Sequence, residues 1–165
     1  MKRTTAILCV CLFLLMVGVQ ATRTAEASPT DTGVTKALIQ QILEAWSTMD
    51  TNKIAPFYSA APENVFFDID PMQYKGWSEW AKGSQHFFAD LKSFKLRLAG
   101  EPTIHNHGNW AWATYLWHGD AVGKDGKTQT FDGRDTAIFQ KVGDKWLTVH
   151  EHASLPIQTP AAANH

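Results

Sequence analysis

Three aspartates are the candidates for chemistry in this sequence, and the chemistry that they indicate is proton transfer. Asp68 and Asp70 lie on one face of a short predicted strand, whose other face carries Phe67 and Ile69. A carboxylate at the edge of an apolar pocket has a raised pKa, because desolvation disfavours the charged form. Such a group suits a general base or a neutral hydrogen-bond donor. Asp135 is the third candidate, as a pocket acid or as the partner of a neighbouring cation.

Two pairs of histidines offer a different chemistry. His105 and His107 share one strand face, as do His150 and His152, and such a pair binds zinc or copper when a third ligand joins it. The alternative is a structural role, with the imidazoles pairing with Arg134 or a neighbouring strand. We predict no metal and no cofactor. The sequence also has no Gly-x-Ser-x-Gly motif and no glycine-rich phosphate loop.

Composition limits the kinds of partner. The chain has 165 residues and a formal net charge of -1, whereas a nucleic-acid binder normally carries a basic excess. Aromatic residues make up 12%, with seven tryptophans, and large rings often line ligand cavities. We therefore expect one domain that binds a small molecule and no nucleic acid. The alternative is that the rings only fill the core.

Residues 1–27 have the pattern of a secretory signal peptide. A basic start precedes an apolar run over residues 6–19, and small residues follow up to Ala27. The run is shorter than the roughly 20 residues that a membrane span needs. We expect an exported protein, periplasmic or secreted, with no stable membrane insertion; an uncleaved anchor is the alternative. Cys9 and Cys11 both lie in this segment, so the mature chain would have no thiol.

The remaining chain predicts an α+β domain. Residues 28–33 are a polar leader and residues 157–165 a flexible tail. Helical spacing of apolar residues predicts helices over 34–49, 54–58 and 77–91, with a short strand over 65–70 between the last two. Strands follow over 94–98, 109–119, 127–141 and 145–154, separated by turns such as Asp125–Gly126. Helices followed by a strand meander are typical of α+β folds. Periodicity alone does not decide which face of the long strands is interior.

Four stretches across residues 34–156 carry a family resemblance. In chain order they are KIAPFYS with the helix before it, VFFDIDPMQYKGWSEW, FDGRDTAIFQKVGDKW and WLTVHEHASLP. They resemble the SnoaL-like, ketosteroid-isomerase-like branch of the nuclear transport factor 2 superfamily. The last two are also similar to the association domain of calcium/calmodulin-dependent kinases. The resemblance implies a cone-shaped, curved antiparallel sheet wrapped around three helices, a pocket in its open end and a homodimer.

The resemblance also implies site residues. The oxyanion-hole aspartate of ketosteroid isomerases matches Asp135, and their base, which precedes a proline, matches Asp70, with Asp68 as the alternative. Both family comparisons place the same strand face in the pocket. The implied pocket residues are Tyr115, Trp117, Asp135, Ala137, Val149 and Glu151, and the implied outer-face residues are Arg134, Thr136, His150 and His152.

The chain departs from both relatives. The isomerase's oxyanion tyrosine would lie near Ala45 and Trp46, and neither is a tyrosine. At the positions that match the pocket arginines of the kinase domain, this chain has Trp117, Ala137 and Ala153. These differences argue against steroid isomerisation and against simple anion binding. An aromatic ligand is favoured instead, and its predicted contacts are Trp46, Tyr74, Trp80, Tyr115, Trp117 and Glu151.

Three functional hypotheses follow. The first is a cofactor-independent isomerase, cyclase or lyase that acts on an aromatic or polycyclic compound. Asp68 or Asp70 would be its base, and Asp135 or Tyr58 would donate to a developing enolate. The second is a binding module that uses the same pocket without catalysis, and the third is an oligomerisation domain whose interior is simply filled.

Overall fold

The computed structural model describes residues 33–69 and 71–157. The predicted signal peptide over 1–27, leader residues 28–32, Asp70 and tail residues 158–165 lie outside the described residues. The helices are α1 (Lys36–Trp46), α2 (Thr51–Ile54) and α3 (Gly76–Ala89). The strands are β1 (Val65–Phe67), β2 (Tyr74–Lys75), β3 (Leu91–Leu98), β4 (Thr103–His107), β5 (Trp110–Gly123), β6 (Thr128–Val142) and β7 (Lys145–Ser154).

The first two helices begin at side chains that cap free backbone N–H groups. The Thr35 hydroxyl accepts a hydrogen bond from the Leu38 N–H, and the Asp50 carboxylate accepts one from the Asn52 N–H. After α2 the chain continues as a short 3-10 helix over Ala55–Phe57, with Pro56 in its first turn, where no backbone N–H is needed. Within the described ranges, no helix is long and apolar enough to cross a bilayer.

The strands form one curved, unclosed sheet in the order β2-β1-β7-β6-β5-β3, and β4 also pairs with β5. Pairing is antiparallel throughout except between β1 and β7, which run parallel. The α+β prediction is confirmed, with three helices against one sheet. The sequence predicted no strand at β2, and it placed His105 and His107 of β4 on a strand face without giving that strand its bounds. β2 has only two residues, too few to show a period.

The inner face of the sheet is the one that the resemblance implied, except on β7. Tyr115 and Trp117 on β5 and Asp135 on β6 are all buried, at alternate positions of their strands. On β7, a bulge interrupts this alternation, because Phe139 pairs with Thr148 and Ile138 with His150. Val149 is therefore an extra residue in the ladder. Its predicted place on the inner face is wrong, and the inner side chain before the bulge is Thr148.

Gly133 is required by the position of Trp117. The two residues are direct partners across β5 and β6. A Cβ atom built at Gly133 would overlap the six-membered ring of the Trp117 indole. The indole can therefore lie across the neighbouring strand only because that strand has no side chain at this point.

We expect Gly133→Ala to destabilise the fold by about 1–3 kcal/mol, because the new methyl group must displace the Trp117 ring. Urea denaturation measures the change in the free energy of unfolding. The matched background is Trp117→Leu, in which the same Gly133→Ala change should cost far less. An equal cost in both backgrounds would show that the ring contact is not the reason for the glycine.

Candidate functional site

A cavity of about 570 Å³ lies between the helices and the inner face of the sheet. This volume is in the range of pockets that hold small organic molecules. Its wall is mostly aromatic and aliphatic, and the exposed lining residues His86, Phe87 and Gln129 mark its mouth. The lining residues of the cavity are Ile42, Leu43, Trp46, Asp68, Ile69, Tyr74, Trp80, Gly83, Ser84, His86, Phe87, Leu91, Phe94, Leu96, Tyr115, Trp117, Ala121, Gln129, Phe131, Asp135, Glu151, Ala153 and Leu155.

Two acidic side chains from neighbouring strands meet in the interior part of this wall. Asp135 on β6 is 6% exposed and Glu151 on β7 is 7% exposed. Asp135 pairs with Tyr115 on one side, and Glu151 lies opposite Ala137, two residues farther along β6. Thr148 and Glu151 both lie on the inner face because the bulge adds one residue between them. These two residues are called the acid pair below.

A chain of two hydrogen bonds holds one member of the acid pair. The Trp46 Nε1–H donates to the Tyr58 hydroxyl at 2.8 Å, and this hydroxyl donates to Glu151 Oε2 at 2.8 Å. Tyr58 is fixed further by its ring, which stacks on Trp77 with 4.8 Å between the centroids. Tyr58 thus holds Glu151 on the side away from the cavity, while Glu151 itself lines the cavity.

The pKa values of the acid pair are raised. Burial is the largest cause for both groups, because it penalises the charged form. For Asp135, the negative charge of Glu151 and a hydrogen bond between the two carboxyls raise the pKa further, to well above its ordinary value. For Glu151, the hydrogen bonds from Tyr58 and Asp135 oppose the rise, and its pKa is about 7. Both carboxyl groups therefore keep their protons to a higher pH than exposed carboxyl groups do.

Tyr115 completes the polar part of the wall. It is buried beside the acid pair, and burial raises the pKa of its phenol well above the usual value. The charges of Asp135 and Glu151 add to this rise. Its hydroxyl therefore stays protonated and can donate a hydrogen bond to a ligand.

Asp68 forms a third acidic position on the same wall. Its Oδ2 accepts from the Trp80 Nε1–H at 2.6 Å, and its Oδ1 accepts from the Ile69 N–H at 2.7 Å. Its negative charge raises the pKa of both members of the acid pair. Asp68 is therefore tied to the tryptophan ring behind it, unlike Asp135, whose buried Oδ1 has no hydrogen-bond partner within the described part of the chain.

Most of the predicted site residues do meet at this cavity. Asp68 and Asp135 line it, as do all six residues that the sequence assigned to ligand contact. Tyr58 is not on the wall but behind Glu151. Asp70 lies outside the described residues. Ala137, which the resemblance placed in the pocket, is buried beneath the wall rather than lining it.

Sequence reasoning missed several polar lining residues near the mouth and on α3. Ser84, His86 and Gln129 are the clearest cases. The helical spacing over residues 77–91 already pointed to Ser84, since it shares a face with Trp80. His86 and Gln129 gave no such signal, because each lies at an exposed position of its element.

The two histidine pairs lie on the outer face of the sheet. His105 and His107 stack on Trp112 with centroids 4.5 and 5.2 Å apart, and His150 Nδ1 contacts the Val65 carbonyl oxygen at 2.6 Å. Among residues 33–69 and 71–157, no three potential metal ligands converge.

Comparison with known proteins identifies relatives of this fold. A family model described as the SnoaL-like domain matches residues 35–158. Nothing among curated proteins matches the chain. A nuclear transport factor 2 (NTF2-like) superfamily protein from Salmonella enterica serovar Typhimurium LT2 is 28% identical, with a TM-score of 0.69, over 78% of this chain and 93% of that one.

Two further solved structures share the fold. An NTF2-like protein of unknown function from Pseudomonas putida KT2440 is 26% identical, with a TM-score of 0.61, and the match covers 74% of this chain and 84% of that one. The association domain of C. elegans CaMKII is 18% identical, with a TM-score of 0.57, and the match covers 72% of this chain and 90% of that one. The latter likeness concerns the fold alone.

The acid pair should make the stability of the fold depend on pH. In the unfolded chain Glu151 ionises near 4.5, whereas in the folded chain its pKa is about 7. Between these values the folded state holds a proton that the unfolded state has released, so stability falls as pH rises. We expect a loss of about 3 kcal/mol from Glu151 between pH 4.5 and 8. Urea denaturation across this range measures it.

The variant Glu151→Gln should make this dependence less steep, because it removes one of the two titrating groups of the acid pair and leaves Asp135. The control is Asp144→Asn in the exposed β6–β7 turn, which should keep the wild-type slope. A wild-type stability that rises between pH 5 and 8 would contradict the raised pKa of Glu151.

Proposed function

Because the chain belongs to the SnoaL-like domain family, we propose that it binds a small molecule with an apolar, ring-containing body in the cavity and transfers a proton on it. The observation that carries the proposal is the acid pair, Asp135 and Glu151, buried in the wall of a 570 Å³ cavity lined mainly by aromatic and aliphatic side chains. A buried acid pair is costly to the fold, and proton transfer is the use for which its shifted ionisation suits it.

We assign different roles to the two acids because their carboxyl groups differ in pKa. A general base works best when its pKa is near the working pH, and the pKa of Glu151 is about 7. Glu151 takes a proton from carbon next to a ligand carbonyl. Protonated Asp135, with Tyr115, donates hydrogen bonds to the oxygen on which negative charge develops. Glu151 then returns the proton to another carbon or to a leaving group, which corresponds to an isomerase or a lyase.

The proposed base differs from the one expected from the sequence, which was Asp68 or Asp70. Asp68 already accepts hydrogen bonds from two N–H groups, so it has less capacity to take a substrate proton. Its proposed role is electrostatic, since it keeps a negative charge beside the acid pair. The role of Asp70 as the base remains a prediction, and Asp68→Asn serves as a comparison in the test of the base.

Assembly as a homodimer is a second proposal, supported by the outer face of the sheet. Three large apolar side chains on β5 are exposed there: Trp110 by 45%, Trp112 by 40% and Leu116 by 58%. Large apolar side chains exposed on one strand face favour a protein contact there. This observation also favours the alternative function, an oligomerisation module.

Export is a third proposal, and it rests on the sequence of residues 1–27 alone. Sequencing the amino terminus of the protein recovered from the periplasm or the medium tests it. A recovered chain that begins at Met1 would contradict cleavage.

Proton transfer can be tested with an enolisable aryl ketone. 2-Tetralone in D2O exchanges its hydrogens next to the carbonyl, and NMR follows the rate. We expect the protein to accelerate this exchange, and Glu151→Gln to reduce the acceleration by about 10²-fold or more. Asp135→Asn should also reduce it, Asp68→Asn should reduce it less, and Asp144→Asn should leave it unchanged.

Two results would contradict the proposal in different ways. Binding of 2-tetralone, seen as a higher Tm, without any acceleration of exchange would favour a binding module. Equal acceleration by the wild type and by Glu151→Gln would show that another group is the base.

The dimer is tested by light scattering coupled to gel filtration. We expect a mass of two chains for the wild type and one chain for Leu116→Glu, because a buried charge opposes association. Ser78→Glu on the exposed side of α3 adds the same charge elsewhere and should remain dimeric. A wild-type mass of one chain would contradict the homodimer.

A further inference from the structure

The cavity carries several acidic groups and almost no basic ones. Asp68, Asp135 and Glu151 all line it, whereas no lysine or arginine side chain does within the described residues. None of the described ion pairs involves Asp135 or Glu151. The basic group on the wall is His86, at the exposed mouth. Buried carboxylates are normally paired with a cation, and no lysine or arginine of the described residues pairs with Asp135 or Glu151.

Asp135 supplies a second, independent sign of a missing partner. Its side chain is more than nine-tenths buried, it lines the cavity, and its Oδ1 has no hydrogen-bond partner among the described residues. An unsatisfied buried carboxyl oxygen is costly. The missing group must approach from the cavity, and it must be a hydrogen-bond donor if it is to pair with ionised acids.

The rings of the wall also suit a positive charge. Trp46, Trp80 and Trp117 line the cavity together with Tyr74 and Tyr115, and Trp46 and Trp80 are in contact with 5.2 Å between their centroids. The faces of such rings attract cations, and they do so more strongly where water is excluded. An aromatic wall with carboxylates and no bound basic side chain is therefore complementary to an organic cation.

We propose that the ligand of this cavity is an organic cation, a protonated amine on an aromatic or other apolar body, whose ammonium group lies against the acid pair. This inference rests on the ligand binding proposed above, and it names the class of ligand. A neutral analogue would leave the carboxylates without a counter-charge, and an anionic one would be repelled by them.

Binding should depend on pH through Glu151. The titratable groups that face it are Tyr58 from the segment after α2, Asp68 from the segment after β1, Tyr115 from β5 and Asp135 from β6. The histidines on its own strand point to the outer face. The pKa of Glu151 is about 7, so its ionised fraction rises about tenfold between pH 6 and 8. A primary amine stays protonated across this range.

Three probes with one skeleton test the inference: 2-naphthylmethylamine, 2-naphthylmethanol and 2-naphthoate. Isothermal titration with the wild-type protein measures each Kd at pH 6 and pH 8. We expect the amine to bind at least about tenfold more tightly than the alcohol at pH 8, and naphthoate to bind most weakly. The affinity for the amine should rise by up to about tenfold from pH 6 to pH 8, while that for the alcohol stays constant.

A variant identifies the group responsible. Glu151→Gln should remove most of the preference for the amine and its pH dependence, while the Kd of the alcohol changes little. Asp144→Asn removes one negative charge from the surface, and it should keep the preference for the amine and the pH dependence of amine binding. The wild-type comparison of amine with alcohol stands by itself, so the test does not depend on the folding of Glu151→Gln.

The outcomes separate this inference from the proposed function. If the alcohol or the naphthoate binds as tightly as the amine, the cation inference is wrong while ligand binding in the cavity stands. If none of the three probes binds, both proposals are contradicted. If the amine preference persists unchanged in Glu151→Gln, the acid pair is not its cause, and the inference in the form stated here is wrong.

Discussion

The burial of two carboxyl groups against each other is the constraint on which this site depends. Asp135 and Glu151 lie on adjacent strands, are almost fully buried and have no lysine or arginine partner on the cavity wall within the described chain. Removing carboxylates from water is unfavourable, so the pair meets that cost by holding a proton. The fold therefore maintains a pair of carboxyl groups with raised pKa values where an apolar core would be more stable.

The structure around the pair is arranged to support it. Tyr58 donates to Glu151 and in turn accepts from the Trp46 indole. This contact joins β7 to α1 and to the segment after α2. A second indole, that of Trp80 on α3, holds Asp68 on the opposite part of the wall. Each tryptophan thus contributes a ring to the cavity and an N–H to the network that positions an acid.

Small local features decide which side chains reach the cavity. The bulge at Val149 shifts the alternation of β7 by one residue, so that Thr148 and Glu151 both point inward although they are three residues apart. Gly133 leaves space for the Trp117 indole across β6. On the other side of the sheet, Trp110, Trp112 and Leu116 of β5 are exposed. One strand thereby lines the cavity on one face and presents large apolar side chains on the other.

The sequence by itself determined the α+β class, the family, the long strands and the aromatic character of the pocket, because periodicity, turn residues and motifs are local properties. The residues alone also singled out Asp68 and Asp135, whereas the choice of one face of the long strands, and with it Tyr115, Trp117 and Glu151 on the cavity wall, needed the family resemblance. Tertiary structure decided what each acid can do. It placed Tyr58 behind Glu151, tied Asp68 to Trp80 and moved Val149 off the inner face. Burial and the proximity of charges from distant segments set the ionisation of a carboxyl group, and neither is encoded in the residues next to it.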